Sequence, residues 1–422
     1  MSDYLPSRTV SELAATRRRG VDAEALATAA GIISRVERDG VAALTELTEQ
    51  FGERPEGIGL FVDRPQLQAA LAALPDDDRR RLERIAERIE RFATAQLGTL
   101  SALAGVAVPG GTAGHTVSPV FRAGCYAPGG RYPLPSSVLM TVLTARVAGV
   151  AEVWVASPRP SPITLAAAAV AGADGLLVAG GAHAIAALAL GAGPVPAADV
   201  VVGPGNRYVT AAKQLMYGRV GIDMLAGPSE LTVLADATAR PEVVAADLIA
   251  QAEHDPDAFP VLVTTDAELA EHVRKEVEAQ LAGLPTAGIA IPALRGGGVV
   301  VVDTLEEAVA ACDALAPEHL QLSVADPARL VEQLAHYGAV FLGEGSAEVF
   351  GDYGVGPNHV LPTGGTARFS GGLSVFTFLR VRTWLAADPT DELRADTAWL
   401  ARREGLEGHA RAAEARGARP PS

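Results

Sequence analysis

The sequence predicts an α/β fold made of two parallel-sheet units of related topology, with helical segments at both ends. Three observations carry that prediction. Short apolar runs near residues 152–156, 175–179, 199–202 and 231–235 alternate with helical segments, and a second series follows at 260–264, 298–302, 319–323 and 338–342. Alternation of this kind implies strands joined by crossover helices in a parallel sheet. The apolar content is high at 49% but aromatics supply only 5%. Most of it is Ala, Val and Leu, side chains that allow close helix-on-sheet packing. At 422 residues the chain is too long for one ordinary core and should divide into two or three packed units.

Taken in order, the polar stretch from Met1 to Arg19 contains Arg17, Arg18 and Arg19 and lacks the apolar core of a signal peptide. It reads as a helical arm over residues 1–20. Residues 22–100 read as helices, from the apolar spacing of Leu26, Ala30, Ile33 and Val36 and again of Leu82, Ile85 and Ile89. The charged run Asp77 to Arg81 belongs to a solvated face. From residue 125 the period changes to that of strands alternating with helices. Residues 343–372 form a Gly-rich loop. From 373 the chain reads as a small helical tail that frays over Arg416 to Ser422.

The balance of charges excludes some functions. A net charge of -15 argues against a nucleic-acid footprint, which needs a basic patch. Arg greatly outnumbers Lys, with only Lys213 and Lys275 present, which we read as compositional bias. The uncharged stretch Gly175 to Ala198 is interrupted by Gly180-Gly181 and by Gly191-Ala192-Gly193-Pro194. It fits a buried strand, short helix and turn better than a membrane span. Cys125 and Cys312 form no CxxC, so a reducing, cytoplasmic setting without a thiolate metal site is expected.

No strand is followed by GxGxxG, and HExxH, GxSxG and a Walker loop are all missing. Chemistry must rest on other clusters. Gln251 and His254 stand three apart at a helix end, on one face, where an amide oxygen and an imidazole could share a metal. Pro317-Glu318-His319 opens an apolar strand, and a carboxylate beside an imidazole suits acid–base work. At a strand end the pair would open toward a ligand cleft. The segment Gly351 to Thr363 holds Asp352 and His359 in a Gly-rich loop, a setting more often functional than structural. His409 follows Glu404 by about one and a third turns of helix. Gly203-Pro-Gly-Asn206, Gly227-Pro-Ser-Glu230 and Tyr126-Ala-Pro-Gly-Gly130 mark three corners that could serve a ligand or simply turn the chain.

Together these pieces resemble the histidinol dehydrogenase family, in order and at family spacing. The matching segments are Tyr126-Ala-Pro-Gly-Gly, Gly203-Pro-Gly-Asn, Ile222-Asp-Met-Leu-Ala-Gly-Pro-Ser-Glu, Gln251-Ala-Glu-His, Pro317-Glu-His-Leu, Gly351-Asp-Tyr and Gly356-Pro-Asn-His-Val-Leu-Pro-Thr. The likeness runs from the N-terminal helices to Glu404 and His409. It implies two successive NAD-dependent oxidations, alcohol to aldehyde to carboxylate. Gln251, His254, Asp352 and His409 would hold one zinc per subunit. Glu318 and His319 would be the acid–base pair. Ser229, Glu348, His359 and Glu404 would contact substrate alongside His319 and the metal ligands, and Tyr126, His183 and Asn206 would lie at the cofactor. The two units are then expected to be Rossmann-like, with the terminal extensions used in dimerisation. We take 21–124 with 232–371 as a first, discontinuous α/β domain, 125–231 as an inserted second, and 372–422 as a helical tail exchanged within a homodimer. No membrane or nucleic-acid partner is expected.

The sequence departs from the family pattern in places. His183 stands where the family usually carries Gln, and an imidazole cannot both donate and accept in the same geometry. Arg131-Tyr132 follows a corner where many members have small residues, as in related dehydrogenases of sulfonated diols. Glu348 and Glu404 suit a cationic amine and oppose a sulfonate. The segment Phe378 to Trp384 is not the commonest family version. The leading reading is L-histidinol oxidation to L-histidine. The alternatives are another amino or polar alcohol and, from a different class, a zinc hydrolase or a non-catalytic zinc scaffold.

Overall fold

The computed structural model describes residues 3–17, 21–129 and 132–417. Arg18, Arg19, Gly130, Arg131 and the last five residues lie outside the described residues, and with them part of the predicted N-terminal arm, of the Arg131-Tyr132 departure and of the frayed end. The chain divides into two compact units, one from Met1–Gln96 with Val120–Phe378 and one from Leu97–Pro119 with Leu379–Ser422.

In the first unit the described strands form two sheets. One contains β1 Phe61–Asp63, β4 Arg122–Tyr126, β5 Glu152–Ala156, β6 Gly175–Leu177, β7 Val200–Val202 and β8 Gly221–Ile222, in the order β1-β6-β5-β4-β7-β8. All neighbours are parallel except β1 with β6. The other contains β9 Glu230–Ala235, β10 Phe259–Thr264, β11 Gly298–Val301, β12 His319–Ser323 and β13 Ala339–Leu342, in the order β11-β10-β9-β12-β13. It is parallel throughout. Leaving β1 aside, each sheet starts in the middle, winds two strands one way and then returns to add two on the other side. The reversal falls between β4 and β7 in one sheet and between β9 and β12 in the other.

Apolar side chains leave both faces of the second sheet, as a doubly covered parallel sheet requires. Leu231, Val233 and Leu262 pack on one side with the helix Pro241–Ala252. Leu234, Val261, Val263, Leu320 and Leu322 pack on the other with Cys312 and Leu13. The N-terminal arm, with its helix Val10–Arg17, docks here through buried Leu5 and Leu13 and a bridge from Ser7 to Val299.

Two groupings differ from the expected ones. Residues 23–63 pack with the first sheet: Ala29, Ile33, Val36 and Leu44 share a core with Tyr126, Leu177 and Ile185, and β1 extends that sheet's edge. Amphipathic spacing shows which face a helix buries but not which sheet receives it. The strand at 230–235, counted with the earlier series, is the central strand of the second sheet.

The second unit is a three-stranded antiparallel sheet, with β14 Leu379–Ala387 beside β3 Gly111–Pro119 and β3 beside β2 Leu103–Val108, plus the helices Asp391–Arg403 and Glu407–Glu414. The tail is therefore not helical throughout. Arg380-Val381-Arg382-Thr383-Trp384 alternates with period two and is rich in β-branched and aromatic residues, which makes it a strand.

Candidate active site

The catalytic candidates gather at the reversal point of the second sheet, but at the amino ends of its strands. Glu230 begins β9 and His319 begins β12, and the two strands pair directly, His319 opposite Leu231. The usual position for ligands in such sheets is the carboxyl end, so these candidates stand at the opposite edge from the one that the expected ligand cleft implies. The segment from Asp223 to Ser229 connects the carboxyl end of β8 to the amino end of β9. It thereby joins the edge of the first sheet that has Tyr126 and Gly203 to the edge of the second that has Glu230 and His319.

Glu230 holds both catalytic candidates through its own backbone. Its carbonyl lies 2.9 Å from His319 Nδ1, and its N–H donates to Glu318 Oε2 at 2.8 Å. Its side chain accepts from Gly364 N at 2.6 Å, tying in the turn after Thr363. A carbonyl can only accept, so Nδ1 carries the proton and Nε2 keeps a lone pair. His319 Nε2 is buried and has no hydrogen-bond partner among the described residues. Burial depresses the His319 pKa despite the pull of the Asp352 charge and of the Glu230 carbonyl. Glu318 and His319 are not hydrogen-bonded to each other, since Glu318 Oε2 is 3.7 Å from Nδ1.

A second group faces them. Gln251 is fully buried in the last turn of the helix Pro241–Ala252, and His254 follows just past its end. Glu348 and Asp352 are the first and last residues of a short helix within the Gly-rich segment. His254 Nε2 lies 3.4 Å from Asp352 Oδ2, and His319 Nε2 lies 3.8 Å from Asp352 Oδ1. Turned so that its nitrogen meets an acceptor, the Gln251 amide donates to Glu348 Oε1 at 2.8 Å. Ligand atoms of His254, Glu348 and Asp352 all lie within 4.8 Å of one another.

Burial, then the charges of Asp352, Glu318 and Asp247, push Glu348 well above the usual carboxylate range. Burial opposes ionisation of Asp352 too, but the His254 hydrogen bond and three nearby imidazoles outweigh it and leave its pKa lowered. His254 is pulled down by burial but raised on balance by Asp352. His359 faces the Asp352 carbonyl through Nδ1 at 2.8 Å and Ser137 Oγ through Nε2 at 3.3 Å. Ser229 is half-buried, its carbonyl accepting from Phe259 N at 3.0 Å.

The donor set fits a borderline cation such as zinc. An imidazole nitrogen and a carboxylate oxygen already converge, a buried amide adjoins them, and neither cysteine is near a ligand role, both being buried free thiols. His409 and Glu404 belong to the second unit, His409 on the helix Glu407–Glu414 and Glu404 capping the end of Asp391–Arg403, both exposed.

The cofactor candidates surround the reversal point of the first sheet, at its carboxyl ends. Tyr126 ends β4, and its hydroxyl accepts from Gly181 N at 3.3 Å. Asn206 is exposed and caps the helix Arg207–Met216 by accepting from Tyr208 N and Val209 N. His183 is buried, its Nε2 2.8 Å from Glu53 Oε2, with Phe51 stacked on its ring at 5.7 Å. Glu53 also accepts from Gly180 N at 2.9 Å, so a carboxylate of the protein caps the amino end of the helix Gly181–Leu190. Both helix ends beside these candidates are thus capped by the protein's own side chains, which already occupy N–H groups that a phosphate would use.

Sequence reasoning passed over Glu230 and Glu53. Glu230 was visible in Gly-Pro-Ser-Glu230, but only the pairing of β9 with β12 brings it to His319.

A doubly wound α/β scaffold with a buried base facing metal-capable side chains defines an enzyme. The sequence model for histidinol dehydrogenase matches residues 15–417. The histidinol dehydrogenase of Thermus thermophilus is 49% identical over 391 residues, 92% of this chain and 93% of that protein. That of Methylococcus capsulatus is 44% identical, covering 91% and 90%. The crystal structure of histidinol dehydrogenase from Elizabethkingia anophelis superposes with a TM-score of 0.89 at 32% identity, over 99% of this chain and 98% of that one. The chain belongs to the histidinol dehydrogenase family and is an oxidoreductase.

Proposed function

We propose that this protein oxidises L-histidinol to L-histidine through histidinal, with NAD as oxidant in both steps. The observation that carries the mechanism is His319, a buried neutral imidazole with Nδ1 bound to a carbonyl and Nε2 left as an uncommitted acceptor. In the first step the substrate hydroxyl gives its proton to His319 Nε2 as the carbinol carbon gives up hydride. In the second, Glu318 takes a proton from the water that adds to the aldehyde, and the resulting hydrate anion loses a second hydride to give the carboxylic acid, which releases its proton to solvent as the carboxylate. Bound NAD supplies the acceptor for each hydride.

Gln251, His254 and Asp352, completed by His409 from a second copy of the chain, would hold one zinc per subunit, which supplies a Lewis-acidic anchor for substrate nitrogens. Glu348 and Glu404, with Ser229 and His359, would surround the substrate and favour its amine-bearing end over an anionic group. Tyr126, Asn206 and the turn beginning at Gly203 would receive the cofactor, and the buried His183, paired with Glu53, would steady the Gly180 turn that Glu53 also holds. In this reading the two sheets are Rossmann-like, the working molecule is a cytoplasmic homodimer with exchanged tails, and the aldehyde stays enclosed between steps.

The experiment is to supply histidinol and NAD, follow absorbance of the reduced nicotinamide, and measure histidine. Two reduced cofactors per histidine are expected. Reduction with another amino alcohol but not with histidinol would reassign the substrate, and hydrolysis without reduction would overturn the dehydrogenase reading.

A further inference from the structure

Lys213 is one of two lysines in a chain with 35 lysine and arginine side chains, and it is among the largest fully buried side chains of the described residues, 1% exposed. It sits on the helix Arg207–Met216. Its ammonium donates to the Gly203 carbonyl at 2.9 Å and pairs with Asp223 Oδ1. Asp223 Oδ2 accepts from Gly203 N at 2.7 Å, and Asp223 Oδ1 also accepts from Met224 N at 2.7 Å. Both peptide groups of Gly203 are therefore held by one ion pair, its N–H by the carboxylate and its C=O by the ammonium.

The clamp holds Gly203 in a conformation that only glycine tolerates. Its φ is +116°, and a Cβ there would lie 2.0 Å from the Tyr126 carbonyl oxygen. The turn Gly203-Pro-Gly-Asn206 is thus pressed onto the end of β4 beside Tyr126. Asp223 also begins the segment that leads to Ser229 and Glu230, and Thr210, on the same helix as Lys213, donates to the Ala226 carbonyl at 2.6 Å. One buried pair fixes both the turn and the first residue of the connection between the sheets. Arginine would not replace this lysine. A compact ammonium matches the two oxygens offered, whereas a guanidinium would bury further N–H groups without acceptors.

We propose that Lys213 and Asp223 are positioning residues for the dinucleotide: they set the Gly203–Asn206 turn in the shape that receives it. This rests on the reading that the turn lies at the cofactor.

The test uses the full-length, metal-loaded protein and measures binding of reduced nicotinamide dinucleotide by its fluorescence, alongside KM for NAD and for histidinol. The variants are Lys213→Arg, Asp223→Asn and the charge-free pair Lys213→Met with Asp223→Asn, which leaves no buried charge unpartnered. Dinucleotide binding should weaken at least tenfold and KM for NAD rise in step, while KM for histidinol stays within about twofold. Thermal melting shows which variants fold, and the charge-free pair decides the matter if the single variants do not. Unchanged dinucleotide binding in a folded variant overturns the proposal, as does an equal loss of affinity for both ligands. Asn206→Ala separates the two levels of inference. If it weakens dinucleotide binding and the clamp variants do not, only the positioning role falls. If neither does, the cofactor reading of the turn falls and the proposal with it.

Discussion

At His319 the assignment of a base depends on one hydrogen bond. The Glu230 carbonyl fixes the proton on Nδ1, so Nε2 is the atom able to accept. Replacing His319 with Asn removes that acceptor, and the first oxidation should slow by roughly 10²–10⁴-fold, the usual worth of a positioned general base. Glu318→Gln should leave the first oxidation nearly intact and impair oxidation of added histidinal, because its proposed role begins only when water attacks. Single-turnover measurements started from the alcohol and from the aldehyde separate the steps. Equal loss in both by Glu318→Gln would end the division of labour. The sequence showed these two residues as adjacent and suggested an acid–base pair, without indicating what holds each of them. The structure separates them because His319 enters the β12 ladder while Glu318, just before it, turns its carboxylate to the N–H of a neighbouring strand.

At the scale of elements, the helix Pro241–Ala252 meets β12 through a polar contact inside the core. Asp247 Oδ2 accepts from Gln321 Nε2 at 2.5 Å, and both residues are buried. Burial raises Asp247 to about 6, against the Gln321 hydrogen bond that lowers it and with the Glu344 charge adding to the rise. An unfolded aspartate titrates near 3.9. Between those values the folded protein binds the extra proton, so this group's contribution to stability falls as pH rises from about 4 to 6 and stays low above. Two units correspond to about 3 kcal/mol as an order of magnitude. Asp247→Asn keeps an acceptor for Gln321 and removes the charge. Urea unfolding should show the variant gaining on the parent as pH rises through this window, with the difference constant above about pH 6.5. A difference that does not vary with pH would show that Asp247 ionises in the core without cost.

Elements were legible in the sequence wherever an apolar run was short and flanked by breakers, as at 152–156 and 319–323. β14 was missed because Arg380 and Arg382 broke the apolar signal while the alternation persisted. Partnership between elements was legible least. The first-sheet core joins Ile33 to Ile185, and no local pattern encodes that pairing. The same holds in the site for Glu230, 88 and 89 residues before Glu318 and His319.

For the whole molecule the proposed zinc site raises the question of how His409, in the second unit, would join ligands that belong to the first. The proposed answer is exchange between two copies. Co-refolding inactive His254→Ala and His409→Ala proteins tests it. With exchange, one site in each hybrid dimer has every ligand and the other lacks two. Random mixing makes about half the dimers hybrids, so roughly a quarter of normal activity should return. If His409 acts within its own chain, every hybrid site lacks a ligand and nothing returns. A chelator should abolish turnover in the parent, and added zinc should restore it.

The placement of the candidate site at the amino edge of the second sheet leaves part of the opposite edge without a role in it. Residues 343–347 lead from the carboxyl end of β13 to Glu348, and Arg240 is tied to them through Glu344, but the turns at 265–266, 302–304 and 324–326 stand at the far side of the strands from His319 and Glu230. In most proteins of this architecture such turns are where ligands are held, and grafting onto them would destroy the site. Here they are the natural attachment points for a tether, a dye or an inserted peptide. An enzyme immobilised through Asp303 would have that edge toward the support and the edge with the chemistry toward solution.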